Sequence, residues 1–178
     1  MGARSAIQRS ATRGGRRYVG ICVMVSMLCG VGWMPAWAGQ WIMGTLSIQN
    51  GTGRQLYGEY VTVFLTTERI AVPPTPDLDA MEKYRRLDRV NQLHMDFYKN
   101  FADRRSQKGY LIAQAETSEY GNFAFLNVPP GRYFIVVTFP AMIHGYKVAW
   151  QHPVEVTADR CRYVTLNDDN LVLPAVRR

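Results

Sequence analysis

Histidine is scarce in this 178-residue chain, and the scarcity narrows the enzyme classes open to it before any fold is considered. Only His94, His144 and His152 represent histidine, and His94 has no ligand-type residue three or four positions on, so the chain has no zinc-binding helix. His144 with His152 is the one metal pairing to weigh, and solvated histidines are the preferred reading of both. No G-x-S-x-G elbow, phosphate-cradling glycine loop or Cys/His pair occurs, which removes the common nucleophile and nucleotide sites. No catalytic residue, cofactor or metal ligand is therefore assigned.

Cysteine is equally sparse, and two of its three positions, Cys22 and Cys29, fall in the first forty residues. That segment joins a basic run (Arg4, Arg9, Arg13, Arg16, Arg17), an apolar stretch from Tyr18 to Trp33 and Ala36-Trp37-Ala38, the form of a secretory signal peptide. Cleavage is expected after Ala38, making 1–38 a leader and 39–178 the mature domain. The apolar stretch is short of the roughly 20 residues that span a bilayer and is broken by Gly20, Gly30 and Gly32, so no permanent membrane anchor is expected. Arg16-Arg17 keeps the twin-arginine route open beside the general one, although Gly15 stands where that signal prefers Ser or Thr. Cys29 follows Met27-Leu28 rather than the small residues of a lipoprotein signal.

Removing the leader would leave Cys161 alone, with no intrachain disulfide. It would also take five of the 21 basic residues and none of the 14 acidic ones, leaving 16 against 14, so a formal charge of +7 falls to +2. No basic run then remains to serve nucleic acid. The expected location is the periplasm or the exterior.

What the remaining residues do have is strand periodicity. Runs near 41–48, 58–66, 109–116, 122–127, 132–139, 145–156 and 162–167 alternate or are rich in β-formers, and Gly, Asn and Pro separate most of them. The densest signal is 116–133. There Tyr120-Gly121-Asn122 is turn chemistry, Phe123 and Phe125 alternate, Pro129-Pro130-Gly131 reverses the chain, and Tyr133, Ile135, Val137 and Phe139 alternate again.

Thr117, Gly121, Phe123, Phe125, Pro129, Pro130, Gly131 and Tyr133 together resemble the signature of the carboxypeptidase regulatory-like domains, small prealbumin-like (transthyretin-like) sandwiches found as bacterial extracytoplasmic modules. Gly44 to Ile48, Gly53 to Leu56 and Val61 to Leu65 are similar to that family's first two strands and their connecting turn. The resemblance covers about 42–66 and 109–173. It implies a mainly β fold, a seven-stranded Greek-key sandwich, and a framework that serves many different tasks. Enzymes of related architecture are not matched: the His-x-x-Glu of zinc carboxypeptidases is absent, Leu171 to Arg178 lacks the Tyr-Arg-Gly-Ser of the transthyretin-related hydrolases, and no spacing singles out the two Tyr and two His of an intradiol dioxygenase.

An amphipathic helix is expected as an insertion at about 75–107. Thr75-Pro76 offers a cap followed by Pro at the first helical position. Leu78, Met81, Tyr84 or Leu87, Val90, Phe97 and Phe101 recur at helical spacing, and Asp79/Lys83 and Glu82/Arg86 place acid four residues before base. A helix of ~28 residues would be ~42 Å long, so it should bend, break near Asn91 or project.

The strands also carry a second apolar set, Phe134 and Val136, Tyr60 and Phe64, with Trp41 and Met43 repeating the pattern. A sandwich needs one apolar face per sheet, so this set implies cover by the helix or by another chain. Trp41, Tyr60, Phe64, Phe134, Val136, Phe97, Phe101, and Ile143 and Tyr146 of the apolar 140–147 loop are the candidate interaction surface. The function expected is an exported, non-enzymatic binding module of the bacterial envelope, engaging a protein partner or self-associating through the helix. The alternative is carbohydrate binding on Trp41, Trp150, Tyr110, Tyr120 or Tyr146, and the third reading is a small metalloenzyme of the same fold.

Overall fold

The computed structural model describes residues 40–158 and 160–177. The expected leader, with its expected cleavage point, paired arginines and two cysteines, lies outside the described residues. In chain order the elements are β1 (Gln40–Gln49), β2 (Gln55–Tyr57), β3 (Thr62–Thr66), α1 (Lys83–Arg105), β4 (Leu111–Glu116), β5 (Asn122–Val128), β6 (Gly131–Val137), β7 (Met142–Ile143), β8 (Tyr146–Lys147), β9 (Trp150–Val156), β10 (Arg162–Leu166), a 3-10 turn (Asp168–Asn170) and β11 (Val176–Arg177). The fold is mainly β with one helix. Six of the expected runs correspond to β1, β3, β4, β5, β6 and β10, the run expected at 145–156 is split into β8 and β9, and the short strands β2, β7 and β11 add to them.

In the first sheet β1 is central. It pairs in parallel with β10, antiparallel with β5, and near its end antiparallel with β2. The second sheet has the order β4-β3-β6-β9, all antiparallel, and β7, β8 and β11 form a small third sheet. Alternation explains the core between the two large sheets. Ile42, Leu46 and Ile48 of β1, Phe123 and Phe125 of β5, and Val164 and Leu166 of β10 meet Val63, Leu65, Ile135, Val137, Trp150 and Val154 from the other side. Within the first sheet Gly44 leaves room for its two paired neighbours, since a Cβ there would stand 2.3 Å from the Val164 carbonyl oxygen and 2.5 Å from the Phe123 ring.

The signature segment folds as its turn chemistry dictates. The Ser118 hydroxyl accepts from the Tyr120 and Asn122 amides, both at 3.2 Å, and Gly121 takes φ +72° with the Leu46 carbonyl where its side chain would be. Tyr133 is buried and donates its phenol to the Pro129 carbonyl at 3.0 Å, closing the Pro-Pro-Gly link against its own strand.

The helix differs from expectation at its start. It begins at Lys83 instead of after Thr75-Pro76, because the Asp77 carboxylate accepts from the Asp79 and Ala80 amides and holds 77–81 in a separate turn. Asp79 and Glu82 consequently lie before the helix, where Asp79 meets Arg86 at 3.5 Å and Glu82 meets Arg85 at 3.9 Å, both exposed pairs of small worth. The 23 residues form one continuous α1, about 35 Å long. At the far end Arg104 and Arg105 occupy the last turn, where cations suit the helix dipole.

Candidate functional site

The two large sheets each turn one face outward, and the two faces are built differently. Outside the second sheet, Phe64, Val136 and Phe134 are met by Leu93, Phe97 and Phe101 of α1, with Ile70, Tyr110 and Leu173 completing a second buried cluster. Phe64 and Phe101 have ring centroids 4.7 Å apart. Polar side chains pin the rim of this layer. The Gln151 amide exchanges two hydrogen bonds with the Ile70 backbone (2.6 and 3.1 Å), and Asn100 donates to the Ala71 carbonyl at 2.9 Å.

Beneath the helix lie two buried ionisable groups. The Lys147 ammonium donates to Asn91 Oδ1 at 2.6 Å and stands 5.9 Å from the Phe139 ring centroid. Asn91, the suspected break point, is thus an ordinary helical residue that serves the lysine. His94 is within 2.9 Å of the Pro174 carbonyl through Nε2. Burial pushes its pKa down, the Pro174 carbonyl opposes that, and the nearby Lys147 charge adds to the lowering.

The candidate interaction surface therefore divides. Phe64, Val136, Phe97, Phe101 and Ile143 are buried within the chain, and Phe134 is half-buried under the helix. The helix stripe packs on its own sheet, where contacts to Phe64 and Val136 remove that surface from water. Tyr146 is half-buried, with the Arg177 guanidinium 5.7 Å from its ring centroid. Trp41 and Tyr60 remain exposed, at 48 % and 66 %.

Trp41 does not belong to the covered face. It lies on the outer side of the first sheet with Met43, which pairs with Tyr163 on one flank and Ala124 on the other. Leu126, beside a bulge whose Asn127 takes φ +57°, continues this face. Leu126 is 59 % and Tyr163 64 % exposed, and nothing else in the described chain covers them. Tyr163 and Leu126 were not singled out from sequence. Their outward direction follows from alternation with the core residues Val164 and Phe125, but their adjacency to Trp41 needs the strand register.

Tyr60 sits elsewhere, in the turn before β3, at φ +53°. Thr117 fixes that turn from across the chain: its buried hydroxyl donates to the Gly58 carbonyl at 2.5 Å and accepts from the Val61 amide at 2.7 Å. Next to it Glu59 meets His144 Nε2 at 3.6 Å. His144 occupies the His144-Gly145 reversal between β7 and β8, with positive φ at both residues, whereas His152 lies in β9 opposite Ile135. The two histidines are thus placed in separate elements, and among the described residues no group of three His, Cys, Asp or Glu could hold a metal ion.

Around Tyr60 the second sheet's outer face is not covered by α1. Thr62, Gln114 and Thr138, with Arg105 at the helix end and Pro140 opposite, line a cleft of about 470 Å³. Arg105 stacks over Phe64, 5.3 Å from the ring centroid, and has no carboxylate within 4 Å among the described residues. Of the other aromatic residues considered for ligand stacking, Trp150 and Tyr110 are core residues, the indole of Trp150 donating to the Asn167 carbonyl at 2.8 Å, while Tyr120 is exposed. No described helix is long and apolar enough to cross a membrane.

No protein-family model matches the chain, and no curated protein matches it either. Among solved structures, it is similar to a candidate carbohydrate-binding protein from Pseudomonas aeruginosa, with 17 % identity over 73 % of this chain and 88 % of that one and a TM-score of 0.42. It is also similar to the pilus backbone protein of Streptococcus pneumoniae, with 11 % identity over 72 % of this chain and a TM-score of 0.36, and to the major pilin subunit of Bacillus cereus, with 14 % over 75 % and 0.36. The match spans 40 % and 30 % of those two pilins.

Proposed function

We propose that this chain is an exported, non-enzymatic module of the bacterial envelope, a carboxypeptidase regulatory-like sandwich of prealbumin-like Greek-key topology that docks a protein partner on the outer face of its first sheet. The supporting observation is the register that sets Trp41, Met43 and Tyr163 side by side, with Leu126 on the same exposed face. Contiguous exposed apolar side chains on a sheet are a hallmark of docking surfaces, and Trp and Tyr bury much area on association for little lost side-chain freedom. Residues 1–38 act as the leader in this reading, and the location is the periplasm or the exterior. A photo-crosslinking residue placed at Leu126 tests it in the envelope of the producing cell. A single covalent adduct with an envelope protein, lost on Trp41→Ala, is the expected result. Adducts that form equally from Tyr84 on the helix, or none from Leu126, would remove the face from the function.

Carbohydrate binding, the second reading, is favoured by a different part of the surface.

A further inference from the structure

The cleft beside Tyr60 does not end there. A second open cleft, about 730 Å³, shares Tyr60 and Gln114 with it and passes over β4, by Glu116 and Ser118, to Asn122 and Tyr163 on the first sheet. The two make one continuous groove crossing from the second sheet to the first. One exposed tyrosine stands at its middle and another at an end.

We propose that this groove binds an extended acidic polysaccharide, with a uronate carboxylate on Arg105 and sugar rings on Tyr60 and Tyr163. The proposal shares with the preceding one the premise of an exported, non-enzymatic module and the Tyr163 end of the face, while its tests use Arg105 and Tyr60 in place of Trp41 and Leu126.

Shape selects a polymer. Each cleft falls within the range of ligand sites, and the open continuity between them lets a chain pass through rather than enclosing a small molecule. Chemistry selects a polyol. Thr62, Gln114, Ser118 and Asn122 each both donate and accept, as vicinal hydroxyls do, and Glu116 is a pure acceptor for two of them. At the floor, Thr138 is 2 % exposed and its hydroxyl has no partner among the described residues, a donor and acceptor left over by the fold. The tyrosine rings supply flat apolar faces with a polar tip.

Charge selects an acid. Arg105 presents a guanidinium already oriented by the Phe64 ring and by Gln114 Oε1 at 3.5 Å, and unmatched by any described carboxylate. Its planar fork fits a carboxylate through two parallel hydrogen bonds. Two carboxylates also line the groove, Glu59 at that end, 3.6 Å from His144 Nε2, and Glu116 in the second cleft, so the acidic group is placed at Arg105 and the neutral hydroxyls along the rest.

A peptide fits less of the groove. Recognition of an extended peptide rests on main-chain pairing, and β3, which floors the Arg105 end, is already paired on both sides by β4 and β6. Only the outer edge of β4 is free for it, and a peptide there would leave Arg105 unused. Tyr60 is also preorganised. Its positive φ is held by Thr117, which bonds the backbone on both sides of it at Gly58 and Val61, so the turn that presents Tyr60 is set before any ligand arrives.

The test is calorimetric titration of the full chain with three probes: a hexamer of 1,4-linked galacturonate, its methyl ester, and hexaglutamate. The expected result is binding of the hexauronate, with the ester about tenfold weaker, the loss of one charge-assisted contact. Arg105→Gln should abolish that difference. Tyr60→Gly should weaken both sugars about tenfold and, since glycine suits the positive φ, should not unfold the turn. Tyr84→Ala, on a residue 81 % exposed on the helix, should change nothing. Equal binding of hexaglutamate, indifference to both groove substitutions, or no sugar binding at millimolar concentration would overturn the proposal. Cross-linking at Leu126 can succeed or fail independently of every one of these results.

Discussion

The two outward sheet faces began from the same kind of sequence and ended in opposite states. On the second sheet, Phe64, Phe134 and Val136 stand where a half-buried strand would carry polar groups, and α1 lies over them with Leu93, Phe97 and Phe101. On the first sheet, Trp41, Met43, Leu126 and Tyr163 face outward with no element of the described chain above them. An apolar outer face thus has two uses in one molecule. The one continuous with a helix of matching stripe is structural, and the one left bare is available to a partner.

Removing the cover would break the comparison most severely. Replacing 76–106 by a short linker should expose Phe64, Val136, Ile70 and Tyr110 together, and we expect a chain that aggregates on refolding, seen as loss of monomer in size-exclusion chromatography. A single cut into the same layer is smaller. Phe101→Ala should cost about 3–5 kcal/mol in denaturant unfolding, the range for a large aromatic deleted from a packed interior.

Acid should loosen the covered face and leave the bare one alone. Burial lowers the pKa of His94, Lys147 adds to the lowering, and the unfolded chain titrates near ~6.5. On acidification the unfolded state therefore takes up its proton first. The His94 contribution is fully present above pH ~6.5 and is lost as the pH falls toward the folded value. Denaturant midpoints measured from neutral to acid pH should drop more steeply in the native chain than in His94→Gln. The smallest effect belongs to the bare face. Trp41→Ala should move stability by no more than about 0.5 kcal/mol in the same assay while abolishing the Leu126 cross-link. A cost comparable to that of Phe101→Ala would mean that the first sheet's outer face is structural too.

The difference between the faces also marks how far the sequence could be read. Local signals carried well. Gly121, the two phenylalanines and Pro129-Pro130-Gly131 act within a few residues of themselves, so their turns and alternation were legible directly. The cover was legible one step further, because Phe64 and Val136 were surplus to one core and the helix had a stripe to match. Trp41 and Met43 were wrongly grouped with that surplus, since only pairing of β1 with β10 and β5 assigns them to the other sheet. The helix start was misplaced because Thr75-Pro76 and Asp77 offer competing caps, and the Asp77 turn prevailed. The groove was invisible for a plainer reason. Thr62 and Gln114 are ordinary surface polar residues, and Thr138 a buried one just past β6, until the sheet brings them together, and no periodicity distinguishes them. Thr117 was noticed as framework, but its hold on Tyr60 exists only across 56 residues of chain.

The parallel pairing of β1 with β10 also constrains when the domain can form. Ile42 is matched to Arg162, so about 120 residues must be made before the central strand of the first sheet gains that flank. At a ribosomal pace of roughly 5–20 residues per second, the wait is roughly 6–24 s, during which Trp41 and Ile42 stand unpaired on that side. Closing so long a loop is a late, topology-limited event, and completion of the sheet is postponed until β10 has been made. The architecture thus makes the last strand of the two large sheets the one that completes the flank of the first.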